Sequence, residues 1–325
     1  MKTYDLVVIG GGPAGMIASI TAKENGIDNI LILDREDELG GFLNFCVHNG
    51  FTNKYAEGDL TAPEYIQILI NKLDQYNIEY KNSANVIDVD KNKNLQVVTE
   101  EGILEIHCKA MIIATGCREK PLGYKNILSH SCSGIISAVS SLKLMNFKGY
   151  MPGKEVLILG SGDPALFAAR TLTLEGAHVK GIVETADKLK SINEASKNFI
   201  KKFNIKVMTN HRVTNVFGKS RVEGVNICAL DENKNIIKKS KRYVPCDTLI
   251  LSVCMKPDNG IFLDLGIKVE ENFKMILNDN METSIEGIFA CGTVIGGFEM
   301  INDVDKQAEK AGFFAAKYIK NNKGN

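Results

Sequence analysis

The chain has 325 residues, more than twice the usual domain length of about 150, so two domains are expected. Hydrophobic residues make up 44% and charged residues 24% of the sequence, a composition that excludes intrinsic disorder and low-complexity fibres. The 39 basic residues balance the 39 acidic residues, and this zero net charge argues against nucleic acid or an anionic membrane as a partner.

The first predicted element is an apolar strand at residues 6–9, of the kind buried in a parallel sheet. It runs into a G-x-G-x-x-G turn formed by Gly10, Gly12 and Gly15, which opens a predicted helix. A second apolar strand follows and ends before Asp34, 24 residues after Gly10. This order predicts a βαβ unit that binds a dinucleotide, with its pyrophosphate at the helix start and its ribose on the acid.

The middle of the sequence carries weaker signals. Thr61 and Glu64 form a capping-box pattern that predicts a helix to about Tyr76. Short β-like runs are predicted from residue 78 to residue 115, and a helix is predicted near residues 134–144.

The pattern of the first unit returns 150 residues later. A strand at residues 156–159 leads into Gly160 and Gly162, Ala165 takes the third position, and Glu184 stands 24 residues after Gly160. An acid there favours the free 2′-hydroxyl of NADH over the 2′-phosphate of NADPH. Asp163 opposes this interpretation, because a carboxylate at the helix start could cap free N–H groups or compete with a pyrophosphate.

The rest of the chain is expected to form short strands over residues 205–252 and a last helix from Asp303 to about Ile319. The basic run at residues 238–242 is interpreted as a solvated edge. No apolar run reaches the roughly 18 residues of a membrane span, and we expect a cytoplasmic protein whose eight scattered cysteines are mostly reduced. No cluster has metal-ligand spacing, so no metal is predicted.

Two dinucleotide units in one chain suggest one tightly held redox cofactor and one exchangeable hydride donor. Further motifs have known counterparts: Leu39-Gly40-Gly41, Ala114-Thr115-Gly116, the run from Gly287 through Gly292 to Thr293, and Lys306-Gln307-Ala308. With these motifs the chain resembles the two-domain FAD/pyridine-nucleotide oxidoreductases related to thioredoxin reductase, over nearly its whole length.

The resemblance implies an α/β fold with two Rossmann-like dinucleotide-binding domains. The FAD domain would comprise residues 1–118 and 246–325, with the NADH domain inserted at residues 119–245, and the protein would be a homodimer. The implied FAD site comprises Gly10, Gly12, Pro13, Ala14, Gly15, Asp34, Arg35, Gly40, Gly41, Ala114, Thr115, Gly116, Gly292, Thr293, Gln307 and Ala308. The implied NADH site comprises Gly160, Gly162, Asp163, Ala165 and Glu184.

The sequence departs from the family pattern in the redox disulfide. Thioredoxin reductases carry C-x-x-C near the start of the NAD domain, where this chain has the single Cys132. Thr293 also stands where the family's last FAD motif usually has Asp. The segment from Gly40 to Phe51 is similar to the G-G-x-L-N-Q-C-x-H-N-G-F of a bacterial subgroup often encoded beside glycerol-3-phosphate dehydrogenase-like flavoproteins, with Phe45 in place of Gln.

Cys46 and His48 in that segment are candidate catalytic residues, because a thiol and an imidazole near the flavin could supply a redox thiol or a proton donor. The alternative is that Cys46 is a small buried residue and His48 an ordered loop donor. We predict an FAD-dependent NADH oxidoreductase that passes electrons to an unidentified acceptor. The alternatives are an electron-transfer subunit of a larger dehydrogenase and a thiol or disulfide reductase that uses Cys46 or Cys132.

Overall fold

The computed structural model describes residues 1–119, 132–191, 193–252, 255–271, 273–296 and 301–322, without the side chains of residues 56, 57, 301 and 302. The chain forms two compact units: unit 1 comprises Met1–Arg118 and Met255–Asn325, and unit 2 comprises Glu119–Cys254. Unit 2 is therefore inserted within the sequence of unit 1. Across the described ranges, every helix falls short of the length or the hydrophobicity that a membrane span requires.

The first segment of unit 1 alternates strands with helices. Its elements are β1 (Lys2–Ile9), α1 (Pro13–Glu24), β2 (Ile30–Leu33), β3 (Asn49–Asn53), β4 (Ala56–Thr61), α2 (Ala62–Gln75), β5 (Glu79–Lys81), β6 (Asn85–Val89), β7 (Asn94–Thr99), β8 (Gly102–Ile113) and β9 (Cys117–Glu119). A 3-10 helix, Gly41–Phe45, lies between β2 and β3. The predicted capping box is confirmed, because the N–H and the hydroxyl of Thr61 both donate to the Glu64 carboxylate.

Unit 2 contains a parallel sheet and a separate antiparallel sheet. Its elements are β10 (Ile135–Ser137), α3 (Ala138–Leu142), β11 (Glu155–Leu159), α4 (Asp163–Leu174), β12 (His178–Val183), α5 (Glu194–Lys202), β13 (Val207–Met208), β14 (His211–Phe217), β15 (Gly224–Ala229), β16 (Arg242–Pro245) and β17 (Thr248–Leu251). The parallel strands lie in the order β10-β17-β11-β12-β13, and the antiparallel order is β14-β15-β16. Lys238 and Lys239, in the predicted solvated edge, are exposed.

The chain then returns to unit 1. The remaining elements are β18 (Met255–Pro257), α6 (Gly260–Leu263), β19 (Ile288–Ala290) and α7 (Ile301–Asn321). The helix predicted at Asp303 begins two residues earlier and ends at Asn321. A 3-10 turn, Gly292–Val294, follows β19.

The sheet of unit 1 brings several strand ends to one edge. Its described strands lie in the order β5-β2-β1-β8-β7-β6, with β19 also on β8. β1 pairs in parallel with β2 and β8, so that Ile9 lies opposite Leu33 and Ile113, and Ala290 of β19 also lies opposite Ile113. The residues that follow these strands therefore meet at the carboxyl edge of the sheet, where ligands bind in open α/β sheets. The predicted α/β class is confirmed.

Two sets of bounds predicted for unit 2 are wrong. The inserted segment does not end at residue 245, because Thr248–Leu251 pairs with β10 and β11 of unit 2. The helix predicted near residues 134–144 begins only at Ala138, because Ile135–Ser137 pairs with β17 and the Ser137 hydroxyl caps the helix. Cys132 consequently lies shortly before β10.

Candidate functional site

The first glycine-rich turn is shaped for a close approach to the backbone. Gly10 has a φ of +110°, and a Cβ there would clash with the Ala114 carbonyl, while a Cβ on Gly15 would clash with the Gly10 carbonyl. A Cβ on Gly12 would meet nothing within 4 Å. Gly10 and Gly15 are therefore required by packing, whereas Gly12 leaves open space beside the start of α1, as a dinucleotide phosphate needs.

Asp34 lies against this turn. It is 6% exposed, and its carboxylate accepts hydrogen bonds from the Gly11 N–H and, at 2.8 Å, from the Glu36 N–H. Burial raises the pKa of Asp34, although these two N–H donors oppose the effect. The acid is thus placed beside the turn as a ribose acceptor should be, with part of its bonding capacity already used by the backbone.

Arg35 is held by a partner that sequence reasoning missed. Its guanidinium lies 2.8 Å from the carboxylate of Asp258, which also binds Arg118 at 2.7 Å. The Thr115 hydroxyl donates to the Asp258 carbonyl at 2.6 Å. No local sequence signal pointed to Asp258, because it lies 223 residues from Arg35.

The Gly40-Gly41 loop passes beside the turn. The Gly40 N–H donates to the Gly11 carbonyl at 2.9 Å, and a Cβ on Gly41 would lie 3.3 Å from the Cα of Gly12. The Asn44 side chain donates to the Leu39 carbonyl at 2.9 Å and fixes the following 3-10 helix to the loop. The loop therefore forms a second wall of the open space at Gly12.

The motifs at Gly116, Gly292 and Thr293 also lie near the first glycine-rich turn. A Cβ on Gly292 would lie 2.7 Å from the Cβ of Ala14 and 3.8 Å from Val304, and a Cβ on Gly116 would lie 3.5 Å from the Thr293 hydroxyl. Further along α7, Ala308 is fully buried and Gln307 is half-buried. The candidate FAD residues from both ends of the chain thus converge in unit 1.

The structure gives Cys46 and His48 different surroundings. Cys46 is 2% exposed, and burial raises the pKa of its thiol to about 12. The His48 Nδ1 lies 2.9 Å from the Asn49 carbonyl, and the ring packs on Phe51 with centroids 5.0 Å apart. A buried thiol with a raised pKa is a poor nucleophile, so the environment of Cys46 is that of a packed side chain.

The second glycine-rich turn repeats the geometry of the first. Gly160 has a φ of +97°, and a Cβ there would clash with the Ser252 carbonyl. A Cβ on Gly162 would make only ordinary contacts, the nearest at 3.8 Å from Pro164, and Ala165 is fully buried. The middle position again leaves the start of a helix open.

Glu184 occupies the place in unit 2 that Asp34 occupies in unit 1. It is 2% exposed and accepts hydrogen bonds from the Ser161 hydroxyl at 2.7 Å and the Ala186 N–H at 2.8 Å. Burial acts to raise the pKa of Glu184, but these donors and the Lys190 ammonium, 3.4 Å away, lower it below the usual value. The acid is therefore ionised at neutral pH.

Asp163 anchors a loop. Its carboxylate accepts hydrogen bonds from the Ser191 hydroxyl and, at 3.1 Å, from the Asn193 N–H. The Ser191 N–H donates in turn to the Ser161 carbonyl at 2.8 Å. These contacts fix the segment before α5 to the second glycine-rich turn. Among the described residues, no group of three or more His, Cys, Asp or Glu side chains is arranged to hold a metal ion.

The repeated turn-and-acid geometry agrees with the comparison to known families. A family model described as pyridine nucleotide-disulphide oxidoreductase matches residues 4–311. The chain belongs to this family. As a family member, it is an oxidoreductase of a class that uses FAD and a nicotinamide dinucleotide.

Individual relatives of this oxidoreductase are distant. It is 25% identical over 296 residues to an alkyl hydroperoxide reductase component of Staphylococcus aureus, covering 90% of this chain and 54% of the relative. The chain therefore spans about half the length of that relative. Thioredoxin reductase of Listeria innocua is 26% identical over 295 residues, covering 90% of this chain and 86% of the relative.

Solved structures show the same fold. Thioredoxin reductase of T. acidophilum superimposes with a TM-score of 0.78 at 23% identity and covers 98% of this chain and 99% of its own. Bacillithiol disulfide reductase of Bacillus cereus gives a TM-score of 0.77 at 16% identity, with coverage of 98% and 99%. At these identities the likeness shows the architecture alone.

Proposed function

We propose that the protein is an FAD-dependent oxidoreductase that uses NADH as its hydride donor and passes electrons to a separate acceptor. The observation that carries this proposal is the duplicated site. Each unit has a first glycine with a positive φ and no room for a Cβ, and a second glycine that leaves the start of a helix open. Each unit also has a buried acid 24 residues after its first glycine. When bound, FAD would accept a hydride from NADH and release two electrons to the acceptor.

We assign FAD to unit 1 and NADH to unit 2. Unit 1 combines its glycine turn with Gly40-Gly41, Gly116 and Gly292, which together enclose the start of α1. Such an enclosure suits a tightly held cofactor. In unit 2 the described contacts at the turn come from Glu184 and from the segment that Asp163 anchors, an arrangement that suits a nucleotide that exchanges. The family resemblance also supports a homodimer, which light scattering of the purified chain would test.

The preference for NADH follows from the charge on Glu184. We expect NADH to reduce the flavin faster than NADPH does. In Glu184→Gln the ratio of the NADH rate to the NADPH rate should fall about tenfold, on the order of 1.4 kcal/mol. Glutamine keeps a hydrogen-bond acceptor for Ser161 but removes the charge that would repel a 2′-phosphate. Anaerobic stopped-flow reduction with each nucleotide measures both rates.

A matched control for this variant is Glu155→Gln. Glu155 is also an acid of unit 2, but it lies at the start of β11 and pairs with Lys180 and His178. It should leave the NADH-to-NADPH ratio unchanged. Faster reduction by NADPH in the unmodified protein would contradict the proposed preference.

The second candidate function is a thiol or disulfide reductase, which the similarity to the thioredoxin reductase of Listeria innocua favours. The surroundings of the two candidate thiols oppose it. Cys46 is buried with a raised pKa, and the half-buried Cys132 packs against the hydrophobic core of unit 2.

We therefore expect Cys46→Ser and Cys132→Ser to retain NADH turnover with oxygen or an artificial acceptor within about twofold of the unmodified rate. Steady-state oxidation of NADH measures this directly. Loss of NADH oxidation with a disulfide as acceptor in either variant, while turnover with oxygen is kept, would support the thiol reductase instead.

A further inference from the structure

A buried tyrosine of α2 joins the second turn of α7 to the end of β3. The Tyr65 hydroxyl shares its one proton between the two carboxylate oxygens of Asp305, at 2.9 and 2.8 Å, and accepts from the Asn53 amide at 2.8 Å. Tyr65 is fully buried and Asp305 is 6% exposed. Three separate elements, α2, α7 and β3, therefore meet at one hydroxyl group.

This network continues into the segment that carries the subgroup motif. The ring of Tyr65 packs on Phe51 with centroids 6.1 Å apart, and Phe51 packs in turn on His48 at 5.0 Å. On the other side, Asp305 precedes Gln307 and Ala308, the α7 residues assigned to FAD, by two and three positions. The network thus links two separate parts of the proposed FAD site.

We propose that Asp305 is a positioning residue for FAD, which acts through Tyr65 to fix the second turn of α7 against residues 48–53. This inference rests on the proposed function of unit 1. It explains how a carboxylate is kept in a buried position, since the Tyr65 hydroxyl shares its proton between the two oxygens of Asp305. It also gives the His48-to-Phe51 segment a role in holding the site, separate from proton donation.

The charged groups near Asp305 on α7 and the neighbouring elements form ion pairs with one another. Glu309 lies one turn further on α7 and pairs with Lys54 at 3.2 Å, and Lys54 also lies 3.8 Å from Glu24 of α1. Burial is the main cause that raises the pKa of Asp305 to about 6, with a further contribution from Glu309, while Tyr65 and Asn53 oppose it. Asp305 is thus the buried group of this cluster that changes charge near neutral pH.

The test is Tyr65→Phe, which removes the hydroxyl and keeps the ring. We expect the dissociation constant for FAD to rise about tenfold and the fine structure of the flavin absorbance band to change. In the full-length chain without cofactor, amide hydrogen exchange should increase at residues 49–53 and 301–308. The matched control is Tyr4→Phe, which deletes another tyrosine-to-carboxylate hydrogen bond of unit 1, to Glu79 at 3.0 Å, and should change none of these readouts.

The pH dependence of the affinity for FAD distinguishes a positioning role of Asp305 from simple packing. The Asp305 carboxylate accepts its hydrogen bonds more strongly when ionised, so the affinity for FAD should fall between about pH 7 and about pH 5. Asp305→Asn should remove this dependence and bind FAD weakly at both pH values.

An unchanged affinity, spectrum and exchange pattern in Tyr65→Phe would overturn the inference while leaving the proposed function intact. A pH profile shared by Asp305→Asn and the unmodified chain would also overturn it. Failure of the unmodified chain to bind FAD would overturn the proposed function itself, and the inference with it.

Discussion

Replacing Gly12 by alanine should abolish tight FAD binding without unfolding the protein. A Cβ at this position meets nothing within 4 Å, so the cofactor-free chain should melt within about 2 °C of the unmodified chain. The added methyl group would fill the space that the pyrophosphate needs at the start of α1. We expect the dissociation constant for FAD to rise by about 100-fold or more, equivalent to about 2.7 kcal/mol.

The control is Gly260→Ala, which lies in unit 1 at the start of α6, where a Cβ would also meet nothing within 4 Å. It should bind FAD normally. Isothermal titration of the cofactor-free chains with FAD provides the affinities, and calorimetry provides the melting temperatures. Normal FAD binding by Gly12→Ala would contradict the location of the site.

Replacing Gly162 by alanine should stop reduction by NADH while leaving FAD bound. The new Cβ would make only ordinary contacts with Pro164 and Ser252, so unit 2 should stay folded. Since the methyl group would stand where the NADH pyrophosphate approaches, we expect the rate of flavin reduction to fall about 100-fold at limiting NADH. Dithionite should still reduce the flavin fully.

Gly12→Ala and Gly162→Ala therefore act on different ligands. The first variant should lose the visible flavin spectrum, and the second should keep the spectrum and lose its response to NADH. If Gly162→Ala were reduced at the normal rate, the second glycine-rich turn would not be the NADH site.

Most features that could be predicted from the sequence depend on local patterns of residues. The glycine at position 10, the open glycine at position 12 and the acid at position 34 follow from the geometry of one strand, one turn and one helix, all within 25 residues. The capping box before α2 likewise depends on residues three positions apart. Such features are visible in sequence because the chain itself sets the distances between the groups.

Features that depend on packing between distant segments were missed. Tyr65 and Asp305 are 240 residues apart, and their meeting depends on how α2 and α7 pack. The end of unit 2 was misplaced because the apolar strand Thr248–Leu251 has the pattern of a buried parallel strand in either unit. Pairing, which sequence spacing does not reveal, assigns it to the sheet of β11.

Glu184 shows another limit of prediction from the sequence. Its position was found from spacing, but its existing hydrogen bonds to Ser161 and Ala186 were not. These bonds hold the carboxylate in place and help to keep it charged, so the acid also fixes the loop at Ala186 to the glycine-rich turn. A ribose would have to share an acceptor that the protein already uses.

The most direct test of the proposed function is an anaerobic titration of the purified, FAD-loaded chain with NADH, followed through the visible flavin band. We expect about one equivalent of NADH per chain to bleach the band, because a hydride carries both electrons that FAD accepts. Persistence of the oxidised spectrum in excess NADH, with full bleaching by dithionite, would show that unit 2 does not deliver electrons to unit 1.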